Sequence, residues 1–596
     1  VWCARARTQW PLRGQTSLSP RALAFHACAG GFAQAHGEAL TQPSADDGAC
    51  SGAALLYTHD GRYTKALASA FAHMFARGVE AMATPARGAC SALSWREGAL
   101  EARRDTFGFS PLWYTLSPGG ASEGVAVASH PWLLRALRDD PCEVHLGALA
   151  AFLSGDDADD PEDFFAGLYR LRPGEGLRWR EGALTLRRRP LGVAQSRDAA
   201  AQPWADALLG ALARERVDVE PPAAVALSGG IDSGLVVAAC LRAHPDQRLR
   251  AVSLTSARWA DMDESPAIDQ WEAEAPIDIA RCCTDGFGPL TAAPLLRAHA
   301  DLGPQAHGGV AFLAGLARFA RAGGDELLLT GLGGDQAMDL PDEEWLTSAL
   351  WRGDAGALSQ RWRGGGVWPF YAAWARPHLT GAWLQSLRRA LGGRYLVRSA
   401  QHLAQSPWRD ARHWLTADAL DLSRLRHPTP DQRMTWSQGW IWEDSIRHLT
   451  LCQLASGVRF AHPLLDAPVV DLLCRAPSAL LMHPQPKALA RIASRGIMPE
   501  AVRALPKVGG FDSLMEQGIA DHADTTLAAL FTTPRLRALG LLQTDLFLNV
   551  LHQFVRWTHL RGARRVGYAH LWRTIAAELW LQALTPLRDP PWSHDE

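Results

Sequence analysis

The sequence predicts an N-terminal half of antiparallel β structure, then a doubly wound α/β sheet that passes into a mostly helical C-terminal part. Three observations lead there. Short apolar runs separated by turns fill residues 1 to about 200. Strand-like runs at 223–227, 250–255 and 326–330 alternate with helical stretches, the pattern of a parallel sheet covered on both faces. After about 340 helical spacing dominates and tryptophan is frequent.

Taken in order, 53–58, 93–95 with 100–103, 112–116 and 124–128 have strand character, each apolar and bounded by turn residues. The acidic run 154–163 is a loop, and 164–174 leads into a hairpin that ends near Arg189. A helical pattern at 199–214 enters the α/β region. The tail carries two amphipathic patterns, 546–560 and 569–584, whose spacing suits packing more than docking.

The 596 residues can form two to four domain-sized units. Sixty basic residues against 62 acidic ones give no basic excess, so no nucleic-acid partner is expected. No apolar run is long enough to span a bilayer and no secretory signal opens the sequence, so no membrane insertion is expected. Ten scattered cysteines without C-x-x-C or zinc spacing read as reduced thiols of a cytoplasmic protein. Only three basic residues are lysines: Lys65, Lys487 and Lys507. In so arginine-rich a chain, a retained lysine is enriched for positions that need a compact ammonium.

The most informative stretch is Ser228-Gly229-Gly230-Ile231-Asp232-Ser233-Gly234, set between a short apolar strand and an apolar helix. The glycines permit a tight turn with bare N–H groups, Ser228 and Ser233 add hydroxyls, and the helix points its positive end there. Asp232 suits the Mg²⁺ that accompanies a pyrophosphate. The motif resembles the loop of ATP pyrophosphatases, which split ATP to AMP and pyrophosphate. It is not a Walker loop, since G-x-x-x-x-G-K-[ST] is missing.

Further motifs follow in a telling order: Ala251-Val252-Ser253-Leu254, then Thr330-Gly331-Leu332-Gly333-Gly334-Asp335-Gln336, then Arg459 with His462-Pro463-Leu464-Leu465-Asp466, Lys487-Ala488-Leu489-Ala490-Arg491 and Leu505-Pro506-Lys507. The series resembles asparagine synthetase B and its relatives, in which a glutaminase domain of the N-terminal-nucleophile type precedes an ATP-pyrophosphatase synthetase domain. Arg104-Asp105 through Tyr114 resembles the hairpin of that first domain. The resemblance implies a degenerate α+β nucleophile-hydrolase-like domain over 1–195, an α/β synthetase domain over 196–520 and a helical extension over 521–596. By the same resemblance Leu227 and Val252 meet the adenine, and Thr330 and Gly331 lie beside the ribose and α-phosphate. Asp232 and Asp335 hold Mg²⁺, Lys487 faces the pyrophosphate, and Lys507 stabilises charge as an acyl-adenylate collapses.

The sequence departs from asparagine synthetase in two places. It opens Val1-Trp2-Cys3, without a leading cysteine, and the glutamine-binding stretches are not recognisable between 10 and 100. The expectation is a first domain that keeps its fold without glutaminase chemistry. Where relatives carry glutamate in S-x-E-x-R, this chain has Ser456-Gly457-Val458-Arg459; Glu443, Asp444, His448 and His462 are nearby titratable groups, none assigned as the base. Together these departures resemble the asparagine-synthetase-like cyclases of lasso peptide biosynthesis. Such an enzyme uses ATP and Mg²⁺ to adenylate an Asp or Glu side chain of a ribosomal precursor peptide, and the peptide's own N-terminal amine closes the ring. A leader peptidase is the implied partner. Tryptophans at 345, 351, 362, 368, 374, 383, 408, 414, 436, 440 and 442 could brace such a substrate, although most suit helical core. A β-lactam synthetase, another amide-forming relative and a catalytically silent peptide-binding protein stay open as alternatives.

Overall fold

Among the described residues of the N-terminal half, nine short strands pair into two antiparallel sheets. They are β1 (Cys3–Arg5), β2 (Gly52–Thr58), β3 (Cys90–Arg96), β4 (Ala99–Arg103), β5 (Trp113–Ser117), β6 (Gly120–Ala128), β7 (Leu168–Arg170), β8 (Glu175–Arg180) and β9 (Ala183–Arg188). The computed structural model describes residues 3–5, 52–58, 90–96, 99–105, 107–109, 111–117, 120–128, 130–137, 143–155, 162–188, 200–217, 223–259, 263–338, 407–424, 440–476, 480–481, 487–505, 510–561 and 567–584. One sheet runs β1-β6-β5-β7, the other β2-β3-β4-β8-β9.

Side-chain alternation explains why the two sheets stack. Tyr114, Val125 and Val127 meet Leu100, Ala102, Leu177 and Trp179 between the sheets. Their chain neighbours Trp113, Ala126 and Ala128 face the opposite side and join the main core. The β8–β9 hairpin turns on Glu181 and Gly182, both at positive φ (50° and 84°), the combination two-residue hairpin turns favour.

The second half is built on a five-stranded parallel sheet of β10 (Ala223–Ala226), β11 (Leu249–Thr255), β12 (Ile277–Cys283), β13 (Leu327–Leu329) and β14 (Arg459–Ala461), in the order β12-β11-β10-β13-β14. The three strands expected from sequence form its centre. The two that sequence reasoning did not find, β12 and β14, are its edges. An edge strand is partly solvated, so β12 mixes Asp278 and Arg281 among its apolar residues and lacks a continuous apolar run. β14 has only three residues.

Helices cover both faces. Helices Ala201–Val217 and Ile231–Ala243 bury Leu208, Leu235 and Val236 with Val225 and Ala251 of the sheet. Helices Val310–Ala322 and Trp440–Ser456 cover the other face, where Ala224 and Val252 point. The chain passes from β10 to β11 on one side and returns to β13 on the other. That reversal opens a crevice at the carboxyl ends of β10 and β13, where such sheets bind ligands. Among the described residues no helix is long and apolar enough to cross a membrane.

The expected tail helices are Thr544–Arg561 and Ala569–Ala583. The second is sunk in the core: Trp572 and Trp580 donate their indole N–H groups to the carbonyls of Gln305 (3.0 Å) and Ala300 (2.7 Å), and Arg573 donates to Phe152 O (2.9 Å). Trp408 and Trp414 are likewise core residues, 2% and 0% exposed. Trp345, Trp351, Trp362, Trp368, Trp374, Trp383 and Trp436 lie outside the described residues, as do the side chains of Trp440 and Trp442.

A buried ion pair ties the two halves together. Arg447, on the helix before β14, meets Asp163 of the N-terminal half at 2.6 Å, with side chains 4% and 3% exposed. Its guanidinium also lies 4.9 Å over the Phe164 ring. Burial by itself pushes the Asp163 carboxyl up. Arg447, Arg170, the Phe164 N–H and the Trp113 indole outweigh it and hold the group below the ordinary aspartate value. Because the folded value is depressed, the ionised carboxyl's stability contribution is full above about pH 4 and falls as pH drops through the folded value. Asp163→Asn leaves Arg447 buried without its counter-charge, which should cost about 3–5 kcal/mol in chemical denaturation at pH 7. The difference from wild type should shrink as unfolding is measured at progressively lower pH, below about 4.

Candidate active site

The β10 end carries the glycine turn. Gly230 is extended (φ −86°, ψ 160°) and the helix Ile231–Ala243 starts immediately after it, so its first-turn N–H groups face the crevice. Ser228 and Ser233 brace this turn from within. Their hydroxyls lie 2.8 Å apart, Ser228 N–H donates to Ser233 Oγ at 3.0 Å, and Gly230 N–H donates to Ser228 Oγ at 3.2 Å. Leu227 donates its N–H to Val252 O at 2.9 Å, so the two backbone positions expected at the adenine lie side by side.

The β13 end approaches this turn at backbone distance. A Cβ built on Gly331 would lie 2.5 Å from Ser233 N, and one on Gly334 would overlap the Asp232 carboxyl. Gly333 has φ 97° and rests against Leu465. This contact explains why glycines stand at 331, 333 and 334. Only a chain without side chains there lets Asp335 come up beside Asp232.

Lys487 then joins the two acids. Its Nζ donates to Asp232 Oδ2 and, at 2.6 Å, to Asp335 Oδ1. The lysine side chain is 9% exposed and that of Asp335 52%. Lys487 holds φ 60°, ψ 34°, a left-handed conformation that a residue with a Cβ adopts only under constraint, and it opens the buried helix Ala488–Ala493. The two carboxylates therefore converge on one cation position, with room on the Asp335 side. Among the described residues no group of three or more His, Cys, Asp or Glu gathers as a metal site. Two carboxylates are what Mg²⁺ takes from a protein when phosphate oxygens and water complete its shell, so the donor set fits. Lys507 lies outside the described residues. Leu505, two residues before it, is held by Arg491, which donates to its carbonyl at 3.0 Å.

Two further residues reach the site. Glu264 accepts the Gly229 N–H at 3.0 Å. Burial pushes its carboxyl above the ordinary glutamate value, the Gly229 bond opposes this, and Asp263 adds to the rise. Asp263 in turn holds the loop by accepting from Ser256 N–H and from Ser265 Oγ (2.6 Å). Sequence reasoning passed over Glu264; its signal was an acid two residues ahead of Pro266, at the start of a helix that follows a strand of the parallel sheet.

His462 is the second. Its Nδ1 lies 2.7 Å from Thr330 Oγ1, which also accepts the Leu332 N–H at 3.2 Å. Phe109, from the N-terminal half, packs on the imidazole with ring centroids 4.6 Å apart. Phe109 is presented by a self-bonded turn in which Asp105 accepts the N–H groups of Phe107 and Phe109, and buried Arg104 donates to Gly108 O and Leu171 O. His462 is thus a partner of Thr330.

Of the other titratable groups near Arg459, His448 is pushed down to about 3 by burial and, secondarily, by His307. It stays neutral at working pH and is too weakly basic to draw a proton from an ammonium. The side chains of Glu443 and Asp444 lie outside the described residues. In place of a glutamate, Gly457 takes a left-handed φ of 69° and Val458 is fully buried.

A protein-family model, asparagine synthase, matches residues 204–582. No curated protein matches the chain. Among solved structures, glutamine phosphoribosylpyrophosphate amidotransferase from B. subtilis, complexed with ADP and GMP, is similar over 33% of this chain at 13% identity, with a TM-score of 0.12. The chain spans about half of that protein's length, 48%.

Gly334→Ala tests the loop contact. It should displace the Asp232 carboxyl and weaken ATP binding at least tenfold, about 1.4 kcal/mol, with a stability loss of about 1–3 kcal/mol. Gly286→Ala, where an added Cβ meets nothing within 4 Å, should change neither in calorimetry or melting.

Proposed function

The chain belongs to the asparagine synthase family of ATP-dependent amide-forming ligases, and from that premise we propose that it is a macrolactam synthetase acting on a ribosomally made peptide. The observation that carries the nucleotide chemistry is the convergence of Asp232 and Asp335 on one cation position at the crevice between β10 and β13. Asp232 and Asp335 would hold Mg²⁺, which when bound screens the charge of the phosphate oxygens. The first-turn N–H groups after Gly230 would receive the pyrophosphate end, and the adjoining backbones of Leu227 and Val252 the adenine.

The reaction then runs in two displacements. An Asp or Glu carboxylate of the peptide attacks the α-phosphorus, the bond to the β-phosphate oxygen breaks, and pyrophosphate leaves. The peptide's N-terminal nitrogen next attacks the acyl carbon, the bond to AMP breaks, and the nitrogen gives up a proton. Holding both ends of one chain together makes the second step intramolecular, an advantage of up to ~7–11 kcal/mol in ideal geometry. Lys507 and Lys487 are the residues proposed to balance negative charge, Lys507 at the collapsing acyl-adenylate and Lys487 at the pyrophosphate.

The choice of nucleophile is supported by what stands where relatives keep a glutamate. Gly457 and Val458 offer no base, and His448 is too acidic in its protonated form to act as one. A peptide α-amine has an ordinary pKa of about 7.7–8.0, so a useful fraction is neutral near pH 8 without help. An N-terminal amine therefore asks less of the site than a more basic amine would. A leader peptidase partner and a cytoplasmic setting belong to the same proposal.

The test is mass spectrometry after incubating the protein and Mg·ATP with a leaderless core peptide that has a free N-terminus and an internal Asp or Glu, with the peptidase present. A product lighter by one water, formed with AMP, is the expected result. The N-acetylated peptide should give none, and Asp232→Asn should lower AMP release at least a hundredfold. AMP without a ring would move the reading to another amide-forming substrate. Absence of AMP throughout would favour a silent peptide-binding protein.

A further inference from the structure

We propose that the Lys487 ammonium holds the divalent-cation position in the nucleotide-free protein, so that the metal enters only when phosphates arrive to receive the lysine. The inference rests on the adenylating reading above and concerns what the site does before ATP binds.

Three observations support it. The ammonium lies on Asp232 and Asp335 at once, the two carboxylates whose geometry suits a shared cation. Lys487 is buried and sits in a left-handed backbone conformation at the start of Ala488–Ala493, in which Ala488, Leu489 and Ala490 are each no more than 3% exposed. The backbone is thus clamped, and the flexible lysine stem is the part able to move. Asp335, by contrast, is half exposed, so a ligand can reach the pair from that side.

The charges decide the order of events. A monovalent and a divalent cation cannot share one position between two carboxylates, since each repels the other at contact distance. For a metal ion arriving alone, displacing the ammonium strands a nearly buried charge without its counter-ions, which opposes exchange. A nucleotide changes the balance: its phosphates are a new anionic partner for Lys487, and the metal replaces the lysine on the aspartates. Metal and phosphate binding should therefore be coupled, each raising the affinity for the other.

The test uses Mn²⁺ alone as the probe, on the full chain, with binding read by electron paramagnetic resonance and calorimetry. Wild type should bind Mn²⁺ only weakly. Lys487→Met should bind one Mn²⁺ at least tenfold more tightly, and adding Asp335→Asn to that variant should remove the gain. Lys487→Gln serves as a second variant should the methionine form fail to melt cooperatively. Equal Mn²⁺ affinity in wild type and a folded Lys487 variant would overturn the proposal, as would tight Mn²⁺ binding to wild type. The outcome is separable from that of the adenylating reading, because AMP release from wild type with Mg·ATP is measured independently.

Discussion

The site depends on one steric fact: the turns after β10 and β13 touch at backbone distance. Gly331 sits against the main chain of Ser233, and Gly334 against the carboxyl of Asp232. Side chains at those positions would hold the loops apart, and the two acids could not then share a cation. Glycine here relieves crowding between segments far apart in sequence. Because strand order reverses between β10 and β13, the same contact closes the floor of the crevice.

That floor carries opposed charges in close balance. Asp232 and Asp335 meet Lys487, Glu264 accepts a loop N–H, and Arg491 anchors the chain ahead of Lys507. The polyphosphate and cation proposed above would bring a partner for each sign of charge. The hydroxyls of Ser228 and Ser233 pin the turn through each other. The loop is thus stiffened from inside, ahead of the helix N-terminus.

The N-terminal half contributes to this geometry at a distance. Phe109 packs on His462, whose Nδ1 partners Thr330 at the carboxyl end of β13. Asp163 meets Arg447 on the helix that leads into β14, and the helix Ala569–Ala583 fills the space beside it through its buried tryptophans. The antiparallel β half therefore has a structural role in holding the parallel-sheet half. It supplies a counter-charge and an aromatic wall to the synthetase half.

The sequence by itself determined the three central strands, the tail helices, the glycine turn after β10 and the acids beside it, because each is written in local pattern: an apolar run, a helical period, a glycine pair ahead of a helix. It also marked Lys487, through the scarcity of lysine. Tertiary structure alone decided the rest. The edge strand β12 leaves no clear signal because partial solvation breaks up the apolar run that marks a central strand, and β14 because it has only three residues. Glu264 reaches Gly229 from 35 positions away, and His462 reaches Thr330 from 132 away, through contacts that leave no local signature. The shared cation position belongs to the same class. Two aspartates and a lysine can be picked out along the chain, but only the packing of three separate turns brings their charges to one point.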